Sequence, residues 1–191
     1  MELLKQRILK DGKITGGDIL KVDKFLNQQL DINLLDKLGE EFYNRFKDCG
    51  ITKILTIEAS GIGISCFTAK HFNVPVIYAK KTDSKKSGEN VYSCKVESFT
   101  YGKIIEVTVS KELLSPNDKI LIIDDMLANG SALLGLINII RSSGAELCGA
   151  GIAIEKGYEL GGEIVRSMGI RLESLAIIDS MDENGITFRE G

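Results

Sequence analysis

Residues Lys119–Asp125 (KILIIDD) set four consecutive apolar residues directly before two adjacent acids. An unbroken run of this kind is the pattern of a strand buried on both faces, which needs helices above and below it and parallel neighbours beside it. Lys53–Glu58 (KILTIE), Val74–Ala79, Leu147–Ile154 and Leu172–Ile178 read as further strands of the same type. Helical stretches separate them: one following the Ala59–Gly63 turn as far as about Phe72, Ser131–Ser143 ended by Gly144, and Glu159–Met168. The alternation predicts an α/β chain, a mostly parallel sheet with helices on both faces. Val91–Glu97 and Lys103–Val109 are β-branched and partly alternating, which predicts an antiparallel ribbon, and the polar Lys80–Asn90 stretch before it reads as a loop. Ahead of the sheet, Leu4 and Ile8 mark a short first helix that Asp11, Gly12, Gly16 and Gly17 interrupt. Leu35, Leu38, Phe42 and Phe46 mark a second helix between Asp31 and Asp48, with Gly50 as its stop. Pro75 and Pro116 each stand just before an apolar run, where a strand can begin.

Composition narrows the function. A chain of 191 residues fits one domain, 1–191, large enough to bury a core without disulfides or metal. A net charge of −3 gives no general attraction to nucleic acid or to anionic membrane, and no run of ~18 apolar residues marks a membrane span. Cys49, Cys66, Cys94 and Cys148 form no Cys-x-x-Cys pair. The start MELLKQRILKDG lacks a signal peptide's apolar stretch, so a reducing, cytoplasmic compartment is expected. Cys66 and Cys148 lie in apolar segments and are expected to act as small core residues. The single histidine, His71, excludes multi-histidine metal sites, and its place near a helix end suits a structural role. No Walker A sequence is present, and Cys66 occupies the last glycine position of a dinucleotide fingerprint beginning at Gly61.

Ligands of such sheets bind beyond the carboxyl ends of the strands. Three strand ends here carry chemistry: Glu58-Ala59-Ser60-Gly61, Asp124-Asp125 leading into Ala128–Ala132, and Glu155-Lys156. Two adjacent acids repel each other, so stability alone seldom selects them. The helix entered at Gly130-Ser131 offers backbone N–H groups, and the glycine permits close approach of an anion. Carboxylates for hydroxyls beside N–H groups for a phosphate suit a sugar phosphate. The alternative is that Asp124 and Asp125 cap the following helix and face water.

Ile122–Leu133 (IIDDMLANGSAL) resembles the phosphoribosyl-pyrophosphate motif of type I phosphoribosyltransferases. With GGDILKVDKFLNQQLD (Gly16–Asp31), TIEASGIG (Thr56–Gly63) and GIAIEKGY (Gly151–Tyr158), nearly the whole chain is similar to the bacterial xanthine phosphoribosyltransferase family. The resemblance implies that fold, with residues 1–50 contributing a purine-binding hood and the ribbon serving as a flexible loop. It implies that Ala128, Asn129, Gly130, Ser131 and Ala132 bind the 5-phosphate of phosphoribosyl pyrophosphate, and that Asp124 and Asp125, as catalytic residues, hold the ribose hydroxyls. Ala59 and Ser60 would present N–H groups to pyrophosphate, the matching peptide bond often being non-proline cis, and Lys81 would reach pyrophosphate, across a dimer interface if the enzyme pairs that way. Leu20, Asn27 and Lys156 would contact xanthine. Leu20 and Asn27 are picked out by the resemblance alone.

The family also implies a cytoplasmic homodimer, and magnesium carried on the substrate rather than held by a protein metal site. Ala128 stands where hypoxanthine–guanine enzymes carry an aspartate assigned as general base, and Asn129 and Ala132 stand where threonines are frequent. With no carboxylate at 128, the purine is expected to enter as an anion stabilised by Lys156. Lys85 and Lys86 read as a solvated loop. The rival class is a regulatory protein that senses phosphoribosyl pyrophosphate without catalysis; the ~50 residues before the first strand leave little room for a nucleic-acid-binding module. A nearer rival is the same chemistry on another 6-oxopurine.

Overall fold

The computed structural model of the chain describes residues 1–16, 18–82, 90–98, 103–183 and 185–190; Lys85 and Lys86 lie outside the described residues. The chain opens with helix α1 (Glu2–Asp11), hairpin strands β1 (Lys13–Thr15) and β2 (Ile19–Lys21), a π-helical turn over Asp23–Asn27, and helix α2 (Ile32–Phe46). Then follow β3 (Lys53–Ile57), α3 (Ser60–Phe72), β4 (Val76–Thr82), β5 (Val91–Ser98) and β6 (Lys103–Ser110). The remainder is β7 (Lys119–Leu127), α4 (Ser131–Ser143), β8 (Glu146–Lys156), α5 (Gly161–Ser167), β9 (Leu172–Asp182) and β10 (Gly185–Phe188).

The main sheet runs β10-β9-β8-β7-β3-β4-β6-β5. Its centre, β9-β8-β7-β3-β4, is parallel, and antiparallel strands extend both ends. The chain leaves β3 for β4 on one side, then returns to build β7, β8 and β9 on the other. The crevice between the carboxyl ends of β3 and β7 is therefore the topological switch point, where open α/β sheets bind ligands.

The β7 run behaves as its apolar character requires. Ile120 and Ile122 point into a core with Leu133, Leu136, Ile137 and Ile140 of α4 and Val165 of α5. Leu121 and Ile123 point into a second core with Ile64 and Ala69 of α3 and Leu35, Leu38, Phe42 and Phe46 of α2. Successive side chains leave opposite faces of a strand, so an all-apolar strand can be satisfied only between two helical layers. Helix α2 starts where Asp31 Oδ1 accepts from the Leu34 N–H at 3.1 Å, an N-cap that satisfies one of the free donors of the first turn.

The N-terminal elements cover the carboxyl end of the sheet. Leu4 and Ile8 of α1, Leu20 of β2, and Val22, Phe25 and Leu26 pack onto the α2 side of the core. The hairpin is tied to the sheet where Lys156, at the end of β8, donates from Nζ to Asp18 O at 2.9 Å.

Three local expectations change. Lys80–Thr82 extends β4 rather than opening a loop, because Lys80, Lys81 and Thr82 pair with Thr108, Val107 and Glu106 of the ribbon. The glycine-interrupted stretch after α1 forms the β1–β2 hairpin. Cys66 is exposed on α3 rather than a core residue, since it lies on the face of the helix turned from α2 and the sheet, and Cys148 is half-buried. Among the described residues no helix is long and apolar enough to cross a membrane.

Candidate active site at the sheet switch point

Strands β3, β7 and β8 run parallel, so Glu58, Asp125 and Lys156 emerge at the same end of the sheet. Between β3 and β7 lies a cleft of about 260 Å³. Ser60 and Lys81 line one side; Asp124, Asp125 and the Ala128–Ala132 loop line the other.

The β3 turn is built by a short hydrogen-bond chain. The Glu58–Ala59 peptide bond is cis, one bond before the Ala59–Ser60 pair. Glu58 Oε1 accepts from the Lys81 N–H at 2.6 Å, which fixes the turn against β4. Ser60, the first residue of α3, donates from Oγ to Asp125 Oδ1 at 3.1 Å and joins the turn to β7. Lys81 lines the cleft of its own chain.

Asp124 and Asp125 are only 5 % and 7 % exposed, although they border the cleft. The Asp125 N–H donates to Asp124 Oδ1 at 3.0 Å. Burial, and next the neighbouring Asp125 carboxylate, push Asp124 well above the usual carboxylate range; the Asp125 N–H and the Lys81 ammonium pull the other way. These acids do not cap α4. Strand β7 continues to Leu127, Gly130 occupies the N-cap position, and the Ser131 N–H donates to Asn129 Oδ1 at 3.0 Å. The capping alternative for the two acids is therefore excluded. What remains is a pair of buried acceptors aimed at the mouth of a cleft, a costly arrangement unless a ligand supplies donors or positive charge.

The loop after β7 turns sharply at Gly130, whose φ of +86° favours glycine. A Cβ at Gly130 would also lie 2.9 Å from Gly161 Cα. The Gly161 N–H donates to Ala128 O at 3.1 Å. A Cβ at Gly161 would meet Gly130 N at 2.6 Å and the Asn129 carbonyl carbon at 2.8 Å. The loop is thus moulded onto the first residue of α5. Sequence reasoning missed this support; its only trace is the Gly161-Gly162 pair opening a helix.

Leu20 and Asn27 belong to the N-terminal cover, and Lys156 is tied to it through Asp18 O; none of the three is among the residues that line the cleft. Leu20 is buried, and Asn27 Oδ1 is buried without a hydrogen-bond partner among the described residues. Lys156 Nζ lies 3.2 Å from Glu159 Oε1, besides its bond to Asp18 O, and sits over the Tyr158 ring. Behind it, Arg166 makes two bonds to the Glu155 carboxylate, 2.7 and 2.8 Å, and Ser174 Oγ donates a third. Burial pushes Glu155 up, but these hydrogen bonds prevail and hold it below its ordinary value. His71 lies away from the cleft, with Nε2 3.1 Å from Asp36 Oδ1.

Comparison with known proteins agrees with this geometry. The family model described as "Phosphoribosyl transferase domain" matches residues 22–183. The chain is 56% identical over 190 residues to a xanthine phosphoribosyltransferase of Ruminiclostridium cellulolyticum, covering 100% of both chains. It is 58% identical to one of Lachnoclostridium phytofermentans, covering 99% of this chain and 98% of that one. The crystal structure of an adenine phosphoribosyltransferase from Giardia lamblia complexed with 9-deazaadenine superimposes with a TM-score of 0.73 at 27% identity, covering 87% of this chain and 90% of that one. The mostly parallel sheet with its antiparallel ribbon is the type I phosphoribosyltransferase fold. Since the family model spans both carboxyl-end turns that frame the cleft, and the curated relatives match from end to end, this chain belongs to the phosphoribosyl transferase domain family.

Proposed function

We propose that the chain is a pentosyltransferase that moves the 5-phosphoribosyl group of phosphoribosyl pyrophosphate to N9 of xanthine, giving xanthosine 5′-monophosphate and pyrophosphate. The observation that carries this reading is the meeting, in one cleft, of the Asp124–Asp125 pair with the Gly130-Ser131 helix start and the Ser60 turn. The acids suit ribose hydroxyls, and the N–H groups of Ala128–Ala132 suit the 5-phosphate. Ser60 and Lys81 line the opposite wall, with Ala59 in the turn just before Ser60, and pyrophosphate would leave on that side. As the C1–O bond breaks, positive charge develops on the sugar, and the fixed carboxylates stabilise it without reorganisation.

Magnesium fits as a companion of the substrate. Two adjacent carboxylates bordering the cleft suit an ion held mainly by phosphate and ribose oxygens. Bound there, it would supply positive charge to offset that of the leaving pyrophosphate.

The choice of base rests on Lys156. Its ammonium donates, so it matches a 6-oxo group or an anionic purine and opposes the 6-amino group of adenine. Ala128 supplies no carboxylate to take the purine proton, which favours a base entering as an anion. Asn27 Oδ1, buried and without a partner among the described residues, offers an acceptor to a purine N–H. The curated relatives are named xanthine phosphoribosyltransferases, which favours xanthine among the 6-oxopurines. One assay tests the whole reading: adenine, guanine, hypoxanthine and xanthine with phosphoribosyl pyrophosphate and magnesium. Xanthine should turn over best, guanine or hypoxanthine next, and adenine near zero. Best turnover with adenine overturns the base assignment; binding of the sugar phosphate without product from any base overturns the enzyme assignment.

A further inference from the structure

Thr56, the penultimate residue of β3, is fully buried, and its Oγ1 has no hydrogen-bond partner among the described residues. A buried hydroxyl without a partner costs stability, and a valine of the same shape would avoid that cost. Packing alone therefore does not account for a threonine here. Its surroundings do. A Cβ built on Gly61 would lie 2.6 Å from Asp124 Oδ1 and closer still to Thr56 Oγ1. The two oxygens thus crowd the same bare point above Gly61 Cα, the hydroxyl on β3 and the carboxylate on β7. Asp124 Oδ1 receives the Asp125 N–H, but an ionised carboxylate offers about four acceptor sites. Buried at 5 % exposure, an ionised Asp124 needs further donors, and Thr56 holds an unused one.

We propose that Thr56 is a positioning residue for Asp124: its hydroxyl donates to the Asp124 carboxylate when that carboxylate holds the ribose of phosphoribosyl pyrophosphate. Thr56 does not touch the substrate. It fixes the rotamer of the clamp from beneath, through the gap that Gly61 leaves open. The inference rests on the reading of Asp124 as the ribose clamp.

The test is Thr56→Val, with Thr56→Ser and Asp124→Asn beside it. A hydrogen bond to a charged group corresponds to about tenfold or more in affinity. Thr56→Val should raise KM for phosphoribosyl pyrophosphate about tenfold, leave KM for xanthine within twofold, and keep or raise the melting temperature. Thr56→Ser should restore the KM. A structural role alone would move these in the other sense, lowering the melting temperature and leaving both KM values in place. Wild-type kinetics in Thr56→Val, or a lowered melting temperature in that variant, overturns the inference. If Asp124→Asn weakens sugar-phosphate binding while Thr56→Val does not, only the Thr56 inference falls. If neither variant weakens it, the clamp reading falls and the inference with it.

Discussion

Gly161→Ala tests whether the phosphate loop takes its shape from α5. The added Cβ would stand 2.6 Å from Gly130 N and 2.8 Å from the Asn129 carbonyl carbon, whereas ordinary contact begins at 3.4 Å. All three nearest atoms belong to the loop backbone, including Ala128 O, so no side chain can swing aside. The Gly161 N–H bond to Ala128 O, 3.1 Å long, holds the two segments together, so relief requires the loop to move. The loop must shift by the order of 1 Å, and a misplacement of that size at a positioned site can cost about 10²-fold in rate. Helix α5 itself tolerates alanine well, because alanine is the better helix former. The expected result is a folded variant with kcat/KM for phosphoribosyl pyrophosphate reduced about 10²-fold. Steady-state kinetics at saturating xanthine, with calorimetric titration of phosphoribosyl pyrophosphate, measure it, and circular dichroism checks the fold. A folded Gly161→Ala enzyme with kinetics within twofold of wild type would refute the loop-on-glycine reasoning.

Asp124→Asn should lower turnover by about 10²-fold, as loss of one preorganised electrostatic contact does elsewhere. Its stability should hold or rise at neutral pH. Burial and Asp125 raise the folded-state pKa of Asp124, so its contribution is full below the ordinary carboxylate range and declines as pH climbs through and above that range. Denaturant melts at pH 4 and pH 7 check this, and a variant less stable than wild type at pH 7 contradicts it. Lys156→Met should cost most of the activity with xanthine and leave phosphoribosyl pyrophosphate affinity nearly intact; loss of both would remove this lysine from the base pocket. Arg166→Met leaves the Glu155 carboxylate, 2 % exposed, without its bidentate partner, and should cost ~2–3 kcal/mol, discounted because the guanidinium is 38 % exposed. The pair holds Glu155 low, so this stabilisation is present above the ordinary glutamate pKa and lost as pH falls through the folded value. Urea melts that fall by less than ~0.5 kcal/mol would show the pair to be screened.

The parallel sheet was legible because burial on both faces leaves a one-dimensional mark. Ile120–Ile123 could be satisfied only between two layers, and the short glycine-ended helical stretches supplied them. The place of the Ala128–Ala132 turn was legible for a similar reason: strand end, glycine and helix start lie within a few residues of one another. What the sequence left open was whether Asp124 and Asp125 face water or a cleft. Both arrangements use the same residues in the same order. The strand order decided it, by setting β3 beside β7 and bringing Ser60, 65 residues distant, onto Asp125. The strand character of Lys80–Thr82 comes from pairing with β6, and no local propensity announces a partner 24 to 28 residues away. The exposure of Cys66 likewise depends on which face of α3 meets α2. Nothing along the chain announces what Gly61 and Gly161 meet, for each packs against a segment distant in sequence: Gly61 against Asp124, Gly161 against the loop after β7. Periodicity reports which side chains leave water. Which buried groups then meet is fixed by packing in three dimensions, and the site was assembled at that level.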